Sequence, residues 1–250
     1  MAGPFSAMLL ADLGADVVKV EPPGGDSTRQ MPGAVGHDSP AFNAVNRGKR
    51  SVVVNLKTQE GRGIVSRLAL ASDILIENYR PGVMESFGFG YDELAGRNPR
   101  LIYASVSGHG QTGPSRSKGG FDLIAQGVSG IMSVTGDPDG PPVKAGVPLT
   151  DLGAGLFAVV GILAALQGRH RTGLGQRIDT SLVDSGVALS VWEATEYFSD
   201  PASRRSGIRA SDERALPGDS MLGRIHHAGR SERAHLSQDL RRPRSPGVGL

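Results

Sequence analysis

Apolar positions follow two periods along the first 185 residues, and their order sketches a fold. Residues 6–20 (SAMLLADLGADVVKV) open as a short apolar helix, turn at Gly14 and run into an extended segment, 16–21. The loop Pro22-Pro23-Gly24-Gly25-Asp26 ends that segment. Residues 51–55 carry three consecutive valines, the pattern of a strand buried on both faces. Residues 58–71 have a helical period, with Thr58 placed to cap it and Ile64, Leu68 and Ala71 on one side. Residues 73–77 (DILIE) and 101–107 (LIYASVS) read as third and fourth strands, with a short helix, 91–96, between them.

This strand–helix–strand order predicts an α/β fold, a parallel sheet flanked by helices. Ligands collect beyond the carboxyl ends of such strands. The loops at that edge are 22–29, 55–57, 78–82 and 108–118, and they bring Arg29, Lys57, Arg80 and Lys118 with many backbone N–H donors. That set suits a phosphorylated ligand. Any one of these cations is as readily a solvated surface residue; four on one edge is the signal.

The stretch 142–185 is the most informative. A Gly/Pro-rich run leads to Asp151, and from Leu156 to Leu166 there is no charge. Arg169, His170 and Arg171 then precede Gly173. An acidic start and a cationic, glycine-terminated end describe one long helix. It is apolar nearly all round, which predicts burial. Asp151 at its mouth is either a helix cap or a working group; the local residues leave both open.

Composition narrows the choices. The chain has 250 residues, 38% apolar and 5% aromatic, with 36 glycines and no cysteine. The missing cysteines exclude disulfides, thiolate zinc sites and a cysteine nucleophile. No run of 18 apolar residues and no basic leader are present, so neither membrane insertion nor a signal peptide is expected, and a cytoplasmic setting is. The net charge of +2 hides an asymmetry, because residues 201–250 carry 10 Arg against 5 Asp and Glu. A basic tail is one pattern of nucleic-acid binders, yet no nucleic-acid partner is expected here, because a frameshift or a natural disordered tail accounts for the composition. Gly108-His109-Gly110-Gln111-Thr112-Gly113 fits a GxGxxG pattern, but Pro114 and the polar run behind it do not open a helix, so a dinucleotide fingerprint is not expected. His109 has no second ligand at metal spacing, so no metal site is expected.

Six collinear motifs within residues 2–185 resemble the class III CoA-transferases, the group of formyl-CoA:oxalate and carnitine CoA-transferases. They are AGPFSAMLLADLGADVVKVEPPGGD, NRGKRSVVVNLK, DILIENYRPGVMESFGF, NPRLIYASVSGHGQTGP, GFDLIAQGVSGIMSVTG and VPLTDLGAGLFAVVGILAALQGRHRTGLGQRIDTSL. The resemblance implies a Rossmann-like CoA-binding domain in an interlocked homodimer, and a nucleophilic aspartate at the position of Asp151. It implies acyl-CoA and a small carboxylic acid as partners, with coenzyme A a substrate rather than a tightly bound cofactor. CoA contacts carry over to Val54, Asn55, Leu56 and Lys57, to Asn78, Tyr79 and Arg80, and to Lys118 or Gly119. The chemistry needs Asp151 ionised, which a helix N-terminus favours, and N–H groups of the small residues after it are placed to receive an oxyanion. The α-methylacyl-CoA racemases of the same fold carry His in a Gly-His-Asp triplet; here the triplet is Gly120-Phe121-Asp122, and Phe121 cannot shuttle a proton. A CoA-binding remnant without turnover is the other alternative. Residues 1–200 are read as the catalytic domain, lacking the family's first strand and its small domain. Residues 201–250 are read as a basic extension, disordered or the product of a frameshift near Ala210.

Overall fold

The structure, a computed structural model, describes residues 1–199 except Val35, His37 and Pro138. The reading of residues 201–250 as a disordered or frameshifted extension lies outside the described residues. The chain begins with α1 (Ala2–Asp12), β1 (Val17–Glu21), a 3-10 turn at Ser27–Gln30, α2 (Pro40–Asn46) and β2 (Lys49–Val53). Then follow α3 (Gln59–Ala71), β3 (Ile74–Glu77), α4 (Val83–Ser86), α5 (Tyr91–Arg97) and β4 (Ile102–Ser107). The last part comprises α6 (Asp122–Val128), α7 (Ile131–Val134), α8 (Leu149–Thr172), β5 (Arg177–Ser181), α9 (Leu182–Leu189) and α10 (Val191–Ser199).

Among the described residues the strand pairs β1–β2, β3–β4 and β4–β5 are parallel, as the strand–helix alternation predicts, but they fall in two sheets rather than one. β1 pairs with β2, and β3, β4 and β5 lie side by side in that order. The two sheets share an apolar layer in which Val20 and Val52 meet Leu75 and Tyr103 over Val65, Ala69 and Leu94. α1 touches both sheets on the other side. The sequence reading did not identify β5, although Arg177-Ile178-Asp179-Thr180 alternates exposed with half-buried positions in the strand period.

Three local expectations need correction. Val53 is 61% exposed, so β2 is not buried on both faces; it is an outer strand of a two-stranded sheet. The inward face of α3 is Gly61, Val65 and Ala69 rather than Ile64, Leu68 and Ala71, because the helix rolls until Gly61 sits over the Asn55 carbonyl. Thr58 does cap it, its hydroxyl accepting from Gly61 N–H at 3.0 Å. The helix α8 is only half buried. Gly153, Ala154, Ala158, Val159, Ile162 and Ala165 pack inward, while Leu156, Phe157, Val160 and Leu163 face outward. By length and composition α8 could cross a membrane, yet its inner face packs on α1, α9, β4 and β5 as in a core helix.

Both ends of α8 are pinned. At the C-terminal end Gly173 takes the left-handed conformation (φ 74°) and its N–H donates to the Arg169 carbonyl. Arg169 itself donates to the Arg100 carbonyl and pairs with Asp73 at 2.9 Å. At the other end a cluster of small side chains, Ala2, Ala125, Ala154 and Ala158 with Val106 and Leu182, draws α1, β4, α6, α8 and α9 together. Alanine-sized contacts let backbones approach closely, and this junction lies beside Asp151 at the carboxyl end of the three-stranded sheet.

Candidate active site

Two adjoining clefts, each about 300 Å³, open at the carboxyl ends of the strands and share Tyr79. The first is lined by Val20–Pro23 and by Val54, Asn55, Leu56 and Lys57. The second is lined by Asn78, Arg80, Ser107, Lys118, Phe121 and Asp151 over a floor of Gly108, Gly119 and Gly120. Between them the two clefts are lined by Asp151 and by the eight residues Val54, Asn55, Leu56, Lys57, Asn78, Tyr79, Arg80 and Lys118, but not by Arg29.

Glycine is required in that floor. A Cβ on Gly120 would stand 2.4 Å from the Gly108 Cα, since the 118–121 segment crosses the end of β4 backbone to backbone. A Cβ on Gly119 would meet the Arg80 guanidinium at 2.9 Å, so that side chain lies flat across the loop. Among the described residues, Lys57, Arg80 and Lys118 have no acidic partner, which leaves three cations facing the clefts. Ser107 Oγ, on the wall of the second cleft, is buried without a hydrogen-bond partner.

Other members of the predicted set are committed to the scaffold. The Asn78 amide donates to the Val106 carbonyl at 2.7 Å and accepts from Gly3 N–H, tying α1 to β4. The Asn55 side chain accepts from Lys57 N–H at 3.0 Å, an Asx turn that aims the lysine. Glu77, buried beneath this edge, accepts from Tyr79 N–H at 2.8 Å, and burial pushes its carboxyl up. Arg29 is withdrawn from the ligand set. It clamps Glu21 through two hydrogen bonds of 2.8 and 2.7 Å, pairs with Asp38 and stacks 3.8 Å over the Phe42 ring. A phosphate would have to displace a carboxylate that is only 2% exposed.

Asp151 stands in the first turn of α8, not at its cap; the cap position is Pro148. Its carboxylate is 16% exposed and accepts from Ala2 N–H at 3.3 Å. The expected lowering by the helix terminus is reversed: burial pushes the Asp151 carboxyl up, opposed by the Ala2 N–H, and the Asp122 charge pushes the same way as burial. The N–H groups following it are also spoken for, since Leu152 N–H donates to the Pro148 carbonyl within the helix. The donor that reaches the carboxylate comes from α1.

Sequence reasoning noticed Asp122 only as part of a triplet and assigned it no role. Asp122 Oδ1 accepts from Thr150 N–H at 2.9 Å, Thr150 Oγ1 at 2.8 Å and Asp151 N–H at 3.3 Å. Its other oxygen accepts from Gln126 Nε2 at 2.7 Å. No local pattern in the sequence announces a cap supplied from 28 residues away.

A model of the family described as CoA-transferase family III matches residues 1–218. The acetyl-CoA:oxalate CoA-transferase of Acetobacter aceti is 50% identical over 200 residues, covering 77% of this chain and 51% of that protein. The succinyl-CoA:glutarate CoA-transferase of Mus musculus is 47% identical over 200 residues, covering 79% and 46%. Among solved structures, a CAIB/BAIF family protein from Brucella suis superposes with a TM-score of 0.80 at 42% identity, over 82% of this chain and 56% of its own. The chain spans about half the length of the curated relatives it matches.

Proposed function

The chain belongs to CoA-transferase family III, and from that premise we propose that it moves coenzyme A from an acyl-CoA to a small dicarboxylic acid through a covalent intermediate on Asp151. The observation that carries the reading is the placement of Asp151, half-buried, in a cleft with the unpaired cations Arg80 and Lys118, next to a second cleft bearing Lys57. Lys57 and the loop at the carboxyl end of β2 hold the nucleotide phosphates, Tyr79 packs on the ligand where the clefts meet, and the thioester reaches Asp151. Val54 and Leu56 supply an apolar wall. Oxalate, glutarate and mesaconate in the names of the relatives support a dicarboxylic acceptor, and Arg80 and Lys118 offer charge for one.

The carboxylate attacks the thioester carbonyl; a C–O bond forms, the C–S bond breaks and CoA leaves as thiolate, giving a mixed anhydride. The thiolate then attacks the aspartyl carbonyl, so the donor acid departs and an aspartyl-CoA thioester remains. An acceptor carboxylate reverses both steps and regenerates Asp151. Ala2 N–H is the donor positioned to steady the oxyanion on the aspartyl carbon. Burial of Asp151 strips water from the nucleophile, which raises its reactivity as an anion while requiring a pH at which it is ionised.

The protein acts as a homodimer in this reading, in the cytoplasm. Support for the dimer comes from the outward apolar side chains of α8 and from α10, where Val191, Trp192, Tyr197 and Phe198 are more than half exposed. The test is acyl exchange between an acyl-CoA and labelled dicarboxylic acids, with mass spectrometry of the Asp151 peptide. A CoA adduct on that peptide, and exchange lost in Asp151→Ala, is the expected result. Exchange that survives Asp151→Ala overturns the assignment of the nucleophile.

A further inference from the structure

We propose that Asp122 is the positioning residue of Asp151, a carboxylate from α6 that caps the start of α8 and sets the orientation and charge environment of the nucleophile. The proposal rests on the transferase reading for its kinetics but not for its geometry.

The beginning of α8 has no cap of its own. Pro148 offers no side-chain acceptor, so the first N–H groups of the helix need a partner from elsewhere. Asp122 supplies it, receiving Thr150 N–H, Asp151 N–H and the Thr150 hydroxyl on one oxygen. Its second oxygen is held by Gln126, whose Oε1 accepts from Ala145 N–H at 2.8 Å. Thr150 and Gln126 are both fully buried. Four donors thus fix one carboxylate between the chain entering α8 and the helix α6, and the Asp151 backbone hangs from it. A nucleophile must be held close to its attack geometry, and an ångström of drift is costly in rate.

The same residue also places a second negative charge beside Asp151. Facing Asp151 are Ala2 N–H from α1, Asp122 from α6, and Arg80 and Lys118 from the cleft loops. In α9, which packs on α8, Asp184 is bonded to Ser181. Removing the Asp122 charge takes away one of the two influences that hold the Asp151 proton.

The experiment compares wild type with Asp122→Asn, Asp122→Glu and Thr150→Val. Asp122→Asn should lower kcat about tenfold or more with little change in KM for the acyl-CoA, because Asp122 is not among the residues that line either cleft. The acid limb of its kcat profile should move to lower pH. Thr150→Val removes one hydroxyl donor but no charge, so it should lower kcat without moving that limb. Asp122→Glu should recover part of the rate. An independent readout needs no turnover: carbon-13 NMR titration of the Asp151 carboxyl should find its midpoint lower in Asp122→Asn. A protein inactive on every donor but showing that lower midpoint sinks the transferase reading and keeps this one. An unmoved midpoint, or wild-type kcat in Asp122→Asn, overturns the positioning role.

Discussion

Replacing Arg29 by alanine tests the withdrawal of that residue from the ligand-binding set. Arg29 meets the Glu21 carboxylate through two hydrogen bonds, and the Glu21 side chain is 2% exposed. The guanidinium hydrogen bond is the largest influence on Glu21; with support from Ser51 and Asp26 N–H it outweighs burial and lowers the carboxyl from 4.5 to about 2. At about 1.4 kcal/mol per pH unit this corresponds to about 3 kcal/mol of stability at neutral pH. Because the folded-state value is depressed, that stability is complete above about 4.5 and is lost as pH falls through about 2. Removing one partner of a buried pair costs about 3–5 kcal/mol by a separate route, which agrees. Arg29→Ala should therefore lose about 3 kcal/mol in urea melts at pH 7, a fall of about 6–12 °C in Tm for a domain of this size. The difference from wild type should shrink as pH drops from 4.5 toward 2. Two results refute the reasoning. One is a loss under about 1 kcal/mol that ignores pH. The other is unchanged stability with a raised KM for acyl-CoA, which would return Arg29 to the ligand.

Other substitutions separate chemistry from scaffold. Lys57→Gln should raise KM for acyl-CoA about tenfold and leave kcat nearly unchanged, since it removes a phosphate contact made equally in ground and transition states; steady-state kinetics decides it. Gly120→Ala should cost about 1–3 kcal/mol in thermal or urea unfolding and depress transfer, because the new methyl meets the Gly108 backbone. Asp151→Asn should abolish exchange yet leave stability equal or slightly higher at pH 7. The folded state holds the Asp151 proton more tightly than the unfolded chain does, so stability falls as pH rises through that interval, and an amide escapes the loss. Trp192, the single tryptophan, should show blue-shifted, iodide-protected emission that relaxes on dilution if α10 forms the dimer contact.

Much of the architecture was legible because local patterns and tertiary contacts agree. The valines after Gly14, the DILIE and LIYASVS runs and the Thr58 cap each became the expected element, since each pattern is satisfied by backbone bonding over a few residues. Errors appear where burial depends on the neighbour. Val53 looks like a core residue until β2 is found with one partner strand, and the face of α3 turns on the space available at Gly61. β5 was missed although its alternation is present, because the residues that make it a strand lie on β4, 74 positions earlier.

The site divides along the same line. The residue types, Asp151 at a helix start and Lys57, Arg80 and Lys118 on strand-end loops, follow from order along the chain. Every strand of a parallel sheet delivers its loop to one edge, so chain order alone puts these groups at the same end of the molecule. Which cation is free, which is consumed, and how Asp151 is charged were decided by tertiary contacts. Arg29 found Glu21 and Asp38, burial outweighed the helix terminus at Asp151, and Asp122 crossed from another helix to hold it. Electrostatic environment and hydrogen-bond satisfaction are sums over spatial neighbours, and those neighbours are assembled only when the chain folds.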